Sequence, residues 1–333
     1  MSIQEIESAC DVQTPRVSRH ELEVFDLPLA RMFYPFGFPV EVRTNSAQVL
    51  ELVEELWGMF EKQHDAEPIR TDVHVVEGSS TECPPTPVYR IMLPLVAAVA
   101  DGDNYSIVNL ERNTTQVSIS RATLGYKLYA KYFLLGSSMC CIATRYATPV
   151  HAGSVALNGR GVLLCGDSGA GKSTLSYACA REGWTYISDD GSFLIHDGNG
   201  LRVTGECHKV RFRPTAAELF PEVQGLEIVP RAAGKPSIEL PTGPMSHIVC
   251  APTTQVDFIV FLNRSSGGPP ALVPYSKDDA RHSMRQTLYG LPETLAMQYA
   301  MIERLLALDV WELRYTDLDW AIDRLQKLVR EGC

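Results

Sequence analysis

A strand, a glycine-rich loop and a helix are predicted in direct succession across residues 161–180. The loop fits the pattern G-x-x-x-x-G-K-[ST], whose fixed positions fall on Gly166, Gly171, Lys172 and Ser173. An apolar run leads into the loop as a strand should, and good helix formers follow it. Because a chance match seldom brings its own strand and helix, the pattern predicts an α/β domain built around this loop.

The loop has the chemistry of a phosphate-binding site. Glycines let the backbone wrap closely enough for successive N–H groups to point at phosphate oxygens, and the following helix adds the positive end of its dipole. Lys172 is predicted to reach the β and γ phosphates, and Ser173 to place its hydroxyl on Mg²⁺. We therefore expect ATP or another nucleoside triphosphate, with Mg²⁺, as cofactors. The predicted nucleotide-binding residues are Gly166, Asp167, Ser168, Gly169, Ala170, Gly171, Lys172, Ser173 and Thr174.

Composition restricts the partners of the chain. Its 333 residues carry a formal net charge of −10, with 45% hydrophobic and 21% charged residues. Since there is no basic excess to neutralise phosphates along a surface, we expect no nucleic-acid partner and no anionic membrane. The apolar runs fall short of the roughly 20 residues that a membrane helix needs. Nine scattered cysteines, together with an N-terminus unlike a signal peptide, predict reduced thiols and a cytoplasmic location.

Four regions are predicted along the chain. Residues 1–20 are polar and aperiodic, which is typical of a flexible tail. Residues 21–122 predict an α+β N-terminal domain whose role the sequence does not indicate, and residues 123–148 predict a connecting helix. Residues 149–333 predict the P-loop domain, so the fold class is α/β preceded by a smaller α+β domain.

The N-terminal region predicts two short strands, at 22–25 and 39–43, and an amphipathic helix across 49–60. Alternating runs across 70–121 predict a mostly antiparallel β segment packed with that helix. The aromatic loop 33–38 is interpreted as buried filler, with a partner surface as the alternative.

The connecting helix is predicted across 124–143, with Leu128, Tyr132, Leu135 and Met139 along one face. The elements predicted for the P-loop domain are strands at 153–157, 184–188, 193–195, 201–203, 256–262 and 311–315, with helices from 276, across 293–305 and from 316.

A carboxylate is needed to hold Mg²⁺ at such a loop, and a second group must orient or deprotonate any hydroxyl that is phosphorylated. The obvious core strand, 258–262, ends at Asn263-Arg264 and supplies no Asp. The pair Asp189-Asp190 closes the strand after the loop helix, and a parallel sheet places it at the phosphate edge. Adjacent side chains of an extended chain diverge, so one carboxylate can face the metal and its neighbour the acceptor. The alternative is an Asp pair that merely forms a turn.

His151 begins the strand that returns through Asn158-Gly159 into the strand of the loop. This antiparallel return is predicted to bring His151 alongside Gly166. A histidine at the start of a strand is more often structural than catalytic, so spacing alone favours the structural interpretation.

Three runs in this half together resemble a known family: HAGSV from His151, GRGVLLCGDSGAGKS from Gly159 and SDD from Ser188. They look like the kinase domain of HPr kinase/phosphorylase and its relatives, which include enzymes that phosphorylate serine in peptides or free serine. The resemblance implies a fold shared with phosphoenolpyruvate carboxykinases and a serine hydroxyl, or its phosphate, as the reacting group. On the matching positions it implies that Asp189 is the base toward the acceptor, that Asp190 is a magnesium ligand, and that His151 belongs to the charge network of the active site. It also implies a homo-oligomer.

The chain departs from the family pattern at two places. Bifunctional members usually carry Glu where this chain has Thr174, and the later Arg-Gly-centred turn is poorly matched at 221–226. These departures weigh against phosphorylase activity and against HPr itself as the substrate. Five residues are candidates for the arginine or charge clamp that the family uses: Arg211, Arg213, Arg264, Arg285 and Lys235.

Taken together, the sequence predicts an ATP- and Mg²⁺-dependent phosphotransferase that acts on a serine or similar hydroxyl of a protein, peptide or small molecule. Two alternatives stay open. One is a nucleotide-binding regulatory module without phosphoryl transfer, and the other is a small-molecule kinase or hydrolase on the same loop.

Overall fold

A computed structural model describes residues 26–198, 200–229, 236–264 and 268–332, the side chains of 134 and 135 excepted. The described residues fall into two compact units. The first takes in the chain from 26 to 145 together with Gly290–Thr294, and the second takes in the described remainder. The predicted tail, the predicted strand at 22–25 and the candidate Lys235 lie outside the described residues.

The first unit contains one seven-stranded sheet. Numbered along the chain, its strands are β1 Leu29–Phe33, β2 Val40–Thr44, β3 Ile69–Val76, β4 Val88–Met92, β5 Leu95–Val99, β6 Tyr105–Asn109 and β7 Thr114–Ser120. Neighbouring strands in the sheet follow the order β1-β2-β3-β7-β6-β5-β4. The pairs β2–β3 and β3–β7 are parallel and the other four are antiparallel. The mostly antiparallel segment expected from the alternating runs is therefore present.

Three helices accompany this sheet: α1 Ala47–Trp57, α2 Arg121–Gly125 and α3 Lys127–Arg145. Helix α1 packs on β1 and β2, and α3 packs on β3, β6 and β7. The helix predicted across 124–143 is interrupted at Tyr126, whose φ and ψ of −90° and 70° are not helical. Leu128, predicted on the packed face, is 41% exposed. A neighbouring face of α3, which includes Tyr129 and Phe133, is buried instead.

The second unit contains a ten-stranded sheet and a three-stranded sheet. The ten strands are β8 Ala147–Val150, β9 Ala152–Leu157, β10 Arg160–Cys165, β11 Thr185–Ser188, β12 Ser192–Ile195, β13 Arg202–Gly205, β17 Val249–Cys250, β18 Thr253–Asn263, β19 Ala271–Pro274 and β20 Val310–Arg314. The three are β14 Lys209–Phe212, β15 Ile228–Val229 and β16 Ser237–Pro241.

The order of the large sheet is β17-β11-β9-β10-β18-β13-β12-β8, with β20 also paired to β18 and β19 to β20. Strands β10, β18 and β20 run parallel, whereas β9 is antiparallel to both β10 and β11. The carboxyl ends of β10, β11, β18 and β20 therefore share one edge with the amino end of β9. We call it the loop edge. The parallel sheet assumed for Asp189-Asp190 is thus corrected, because β9 lies between β10 and β11.

Four helices complete the second unit: α4 Lys172–Arg181, α5 Lys277–Arg285, α6 Pro292–Leu305 and α7 Leu318–Glu331, the first residues of α6 belonging to the first unit. Alternate residues of β10 enter two separate cores. Val162 and Leu164 pack in the core with α4 and α7, and Leu163 and Cys165 pack in the core with α5 and α6. Burial on both faces explains the continuous apolar run of this strand.

The mixed α/β architecture, with helices on both faces of the large sheet, is compatible with the α/β kinase-like fold that was predicted. Phe33 and Phe38 of the aromatic loop are buried, so these side chains belong to the core, as the first interpretation of the loop expects. Within the described part of the chain, no helix combines the length and apolar character that crossing a bilayer requires.

Candidate functional site

The glycine-rich loop lies between β10 and α4, as its pattern predicts. Gly166 and Gly171 have φ angles of 144° and 103°, a region that residues with a Cβ rarely adopt. Helix α4 starts at Lys172, and Leu175 N–H donates to Gly171 O at 2.8 Å, which is the first bond of the helix. Asp167, Ser168 and Gly169 are exposed at the tip of the loop, where their backbone can meet a ligand.

Lys172 is the buried charge at the centre of the loop. Its Nζ donates to the carbonyl oxygens of Gly166 at 2.8 Å and Asp167 at 3.1 Å, and it lies 3.2 Å from Asp190 Oδ1. The side chain is only 3% exposed. The loop therefore curls around an ammonium group that its own carbonyls and one carboxylate hold in place.

Asp190 connects Lys172 to His151, whose Nε2 is 3.1 Å from Asp190 Oδ1. Partial desolvation beside the loop opposes the ionisation of Asp190, but the hydrogen bond from His151 and the charge of Lys172 outweigh it and lower the pKa of this carboxyl to about 2. More than half of the Asp190 side chain is exposed, so the anion is open to solvent at the loop edge. His151, Asp190 and Lys172 thus form one chain of contacts.

Asp189 is in a different environment from its neighbour. It is 6% exposed, and its Oδ2 accepts a hydrogen bond from the backbone N–H of Arg211 at 2.9 Å. Burial raises the pKa of Asp189 to about 6, against the Arg211 N–H and a hydrogen bond from the Ser173 side chain, which lower it. The two carboxylates lie in different surroundings, but Asp189 and Asp190 form a bend after β11 rather than the extended chain that was expected. Ser173 contacts Asp189 rather than the predicted metal ligand Asp190.

The position of Asp189 depends on a close backbone approach. A Cβ placed on Gly153 of β9 would lie 2.9 Å from the carbonyl oxygen of Asp189 and 3.3 Å from that of Ser188. Real Cβ atoms do not approach a backbone oxygen this closely without displacement. A residue without a side chain at Gly153 therefore allows the end of β11 to reach the loop edge.

The antiparallel return of β9 pairs Ala152 with Cys165, the last residue before the loop. This register places His151 beside the start of the loop, as the sequence predicts. The structure thus brings together the loop, His151 and the Asp pair from three strands. Their assigned roles in catalysis and metal binding stay predictions.

The candidate arginines lie in different surroundings. Arg211 contributes its backbone N–H to Asp189, while its side chain pairs with Glu239 at 3.4 Å. Arg285 binds Glu303 at 2.8 Å and lies over the ring of Tyr299, both on α6. Arg213 is exposed. Among the candidates that the structure describes, Arg264 lies beside Gly171, since its Cδ would lie 3.9 Å from a Cβ on that residue.

Tyr315 is a neighbour of the loop that the sequence interpretation missed. It directly follows β20 at the loop edge and is 1% exposed. A Cβ on Gly171 would lie 2.7 Å from its hydroxyl oxygen. Burial raises the pKa of Tyr315 to about 12. The sequence places Tyr315 at the end of a predicted strand. Only the sheet order shows that this strand runs parallel to β10 and ends at the same edge.

The donor set at the loop edge suits Mg²⁺. Among the described residues, no three or more His, Cys, Asp or Glu side chains form a ligand cluster of their own. Mg²⁺ is usually held by one or two carboxylates together with substrate phosphates, which needs no such cluster. The predicted ligands Ser173 and Asp190 carry a hydroxyl and a carboxylate, which are hard oxygen donors of the kind that this ion prefers.

Comparisons with known proteins add little to this geometry. No protein-family profile and no curated protein matches the sequence. Among solved structures, the Hpr(Ser) kinase/phosphatase from Coxiella burnetii matches at 14% identity over 56% of this chain and 99% of that chain. The TM-score of that match is 0.33, which is too low to support a functional argument. Function therefore has to be argued from the loop edge itself.

Proposed function

We propose that this chain transfers the γ-phosphoryl group of ATP to a hydroxyl, as an Mg²⁺-dependent kinase acting on a serine or similar acceptor of a protein, peptide or small molecule. One observation carries the proposal. A phosphate loop, a buried lysine and two carboxylates in contrasting environments meet at the same sheet edge. A loop that only bound nucleotide would need the lysine and the glycines but not a second, buried carboxylate beside them.

In this proposal the loop binds and orients the triphosphate. Its backbone N–H groups and the start of α4 face the phosphate oxygens, and Lys172 exchanges its carbonyl partners for the β and γ phosphates. Ser173 and Asp190 would hold Mg²⁺, which would neutralise phosphoryl charge. His151 donates to Asp190 and so fixes the orientation of that carboxylate.

Asp189 acts on the acceptor. Its carboxylate takes the proton of the attacking hydroxyl, while the N–H of Arg211 holds Oδ2 in place. Most of the rate enhancement comes from positioning and from electrostatic stabilisation, because phosphoryl transfer demands little covalent chemistry of the protein. The acceptor is expected to approach from the side of β9 and β11, where Asp189 lies.

The test follows labelled γ-phosphate from ATP to peptides, to free serine and to cell extract, in wild type, Asp189→Asn and Lys172→Ala. We expect labelling by wild type only. Lys172→Ala is expected to lower nucleotide affinity, whereas Asp189→Asn keeps nucleotide binding and loses transfer. Unchanged nucleotide binding in Lys172→Ala would show that the loop is not the site.

Nucleotide binding without Asp189-dependent labelling of any acceptor would defeat the kinase proposal. That result would favour the regulatory module, in which occupancy of the loop by ATP changes a partner interface. Release of inorganic phosphate without a labelled acceptor would favour the hydrolase.

A further inference from the structure

Tyr315 has a feature that the proposed mechanism does not use. Its hydroxyl is buried and has no hydrogen-bond partner among the described residues. Burying a hydroxyl without a partner costs free energy, so such groups are uncommon and each calls for an explanation. This hydroxyl is directed at Gly171, the residue that precedes the loop helix.

Arg264 contributes a positive charge at the same place. It directly follows β18, it is exposed, and its Cδ would lie 3.9 Å from a Cβ on Gly171. Within the described ranges no carboxylate forms an ion pair with it, whereas Lys172 already faces Asp190. The charge of Arg264 is also close enough to lower the pKa of Tyr315, against the larger effect of burial.

The sheet order puts these two residues opposite the acids. Strand β10 lies between β9 and β18, so His151 and the Asp pair flank the loop on one side. Arg264 and Tyr315 follow β18 and β20 and flank the loop on the other side. A triphosphate carries several negative charges, whereas on the acidic side Lys172 already faces Asp190 and Arg211 pairs with Glu239.

We propose that Arg264 and Tyr315 form a second wall of the phosphate site, in which Arg264 binds phosphate oxygens of the nucleotide and Tyr315 positions the loop at Gly171. The proposal rests on the proposed function, since it requires that the loop binds a nucleoside triphosphate. When the nucleotide binds, the Tyr315 hydroxyl forms a hydrogen bond of the kind that it lacks in the free protein. Arg264 forms a charge-assisted hydrogen bond, which is stronger than one between neutral groups.

The Arg264 part is tested by calorimetric titration with MgATP of wild type, Arg264→Ala, Arg264→Lys and Arg330→Ala. Arg330 is a matched control because it is also exposed and follows Val329, whose carbonyl accepts from Arg160 at the opposite end of β10. We expect Arg264→Ala to weaken binding about tenfold, since a hydrogen bond to a charged group is lost. Arg264→Lys is expected to weaken it less, and Arg330→Ala to bind as wild type does.

The Tyr315 part is tested with Tyr315→Phe against Tyr177→Phe. Tyr177 is an equally buried tyrosine of the same core, but its hydroxyl donates to Glu222 Oε1 at 2.6 Å. Tyr315→Phe is expected to keep or raise the melting temperature without nucleotide and to weaken MgATP binding several-fold. Tyr177→Phe is expected to lower the melting temperature and leave the affinity unchanged. A merely structural Tyr315 would change stability and affinity together or not at all.

The outcomes separate this proposal from the proposed function. If wild type binds MgATP and Lys172→Ala does not, yet Arg264→Ala and Tyr315→Phe bind as wild type does, the second wall is wrong and the phosphate loop stands. If Arg330→Ala weakens MgATP binding as much as Arg264→Ala does, the loss of affinity comes from the overall charge of the protein. The proposal of a second wall is then wrong as well. If wild type and Lys172→Ala are equally unable to bind MgATP, the proposed function and the wall both fail.

Discussion

Substituting Gly153 by alanine tests whether the approach of β9 to β11 positions the Asp pair. The added Cβ would lie 2.9 Å from the carbonyl oxygen of Asp189, and ordinary van der Waals contact begins at 3.4 Å. The difference of about 0.5 Å has to be absorbed by backbone, because no flexible side chain is involved. Gly153→Ala therefore shifts Asp189 away from the loop.

Two magnitudes follow from this displacement. Overpacking of this kind costs about 1–3 kcal/mol in the free energy of unfolding. If a misplacement of about 1 Å can cost a hundredfold in rate, half of that distance predicts a loss of about tenfold in phosphoryl transfer. Nucleotide affinity is expected to change little, because Lys172 and the loop lie on β10 and α4 rather than on β11.

Gly191→Ala is the matched control. Gly191 follows Asp190, has no positive φ, and a Cβ placed there meets no heavy atom within 4 Å. Urea unfolding, MgATP titration and the labelled-phosphate assay are measured on both variants. If Gly153→Ala is as stable and as active as Gly191→Ala, the close approach does not position Asp189 and this reasoning is refuted.

Three further substitutions test other parts of the second unit. Asp190→Asn removes the carboxylate that faces Lys172, so ATP affinity without Mg²⁺ is expected to rise and the gain from added Mg²⁺ to shrink, as titrations with and without EDTA measure. Tyr186→Phe removes the hydrogen bond from the buried Tyr186 hydroxyl to the Lys209 carbonyl, and urea unfolding is expected to show a loss of about 1 kcal/mol. Leu325→Ala opens a cavity where α7 packs in the core and is expected to cost about 2–5 kcal/mol in the same experiment, a loss under 1 kcal/mol contradicting tight packing there.

Local patterns predicted the elements of the second unit well. The strand, loop and helix around Lys172 follow from glycine spacing and apolar runs, and the return of β9 follows from the Asn158-Gly159 turn. The position of Asp189-Asp190 directly after β11 also follows from the apolar run before it, although the pair forms a bend rather than an extended chain. These features depend on residues that are close in sequence, which is why the sequence carries them.

Long-range features could not be predicted in the same way. The place of β9 between β10 and β11, and the pairing of β18 with β10 and β20, depend on strand neighbours far apart in the chain. For that reason Tyr315 was not recognised beside the loop, and Arg264 was only one of several candidates. The break at Tyr126 and the buried face of α3 are likewise set by packing on the sheet rather than by periodicity.

Single-turnover transfer of labelled γ-phosphate, measured on Asp189→Asn with its MgATP affinity determined in the same preparation, tests the central claim most directly. The account predicts that the variant binds MgATP within a few-fold of wild type and transfers no label to an acceptor that wild type labels. Transfer at the wild-type rate by a variant without the Asp189 carboxylate would contradict the claim that the loop and this acid form one phosphoryl-transfer site.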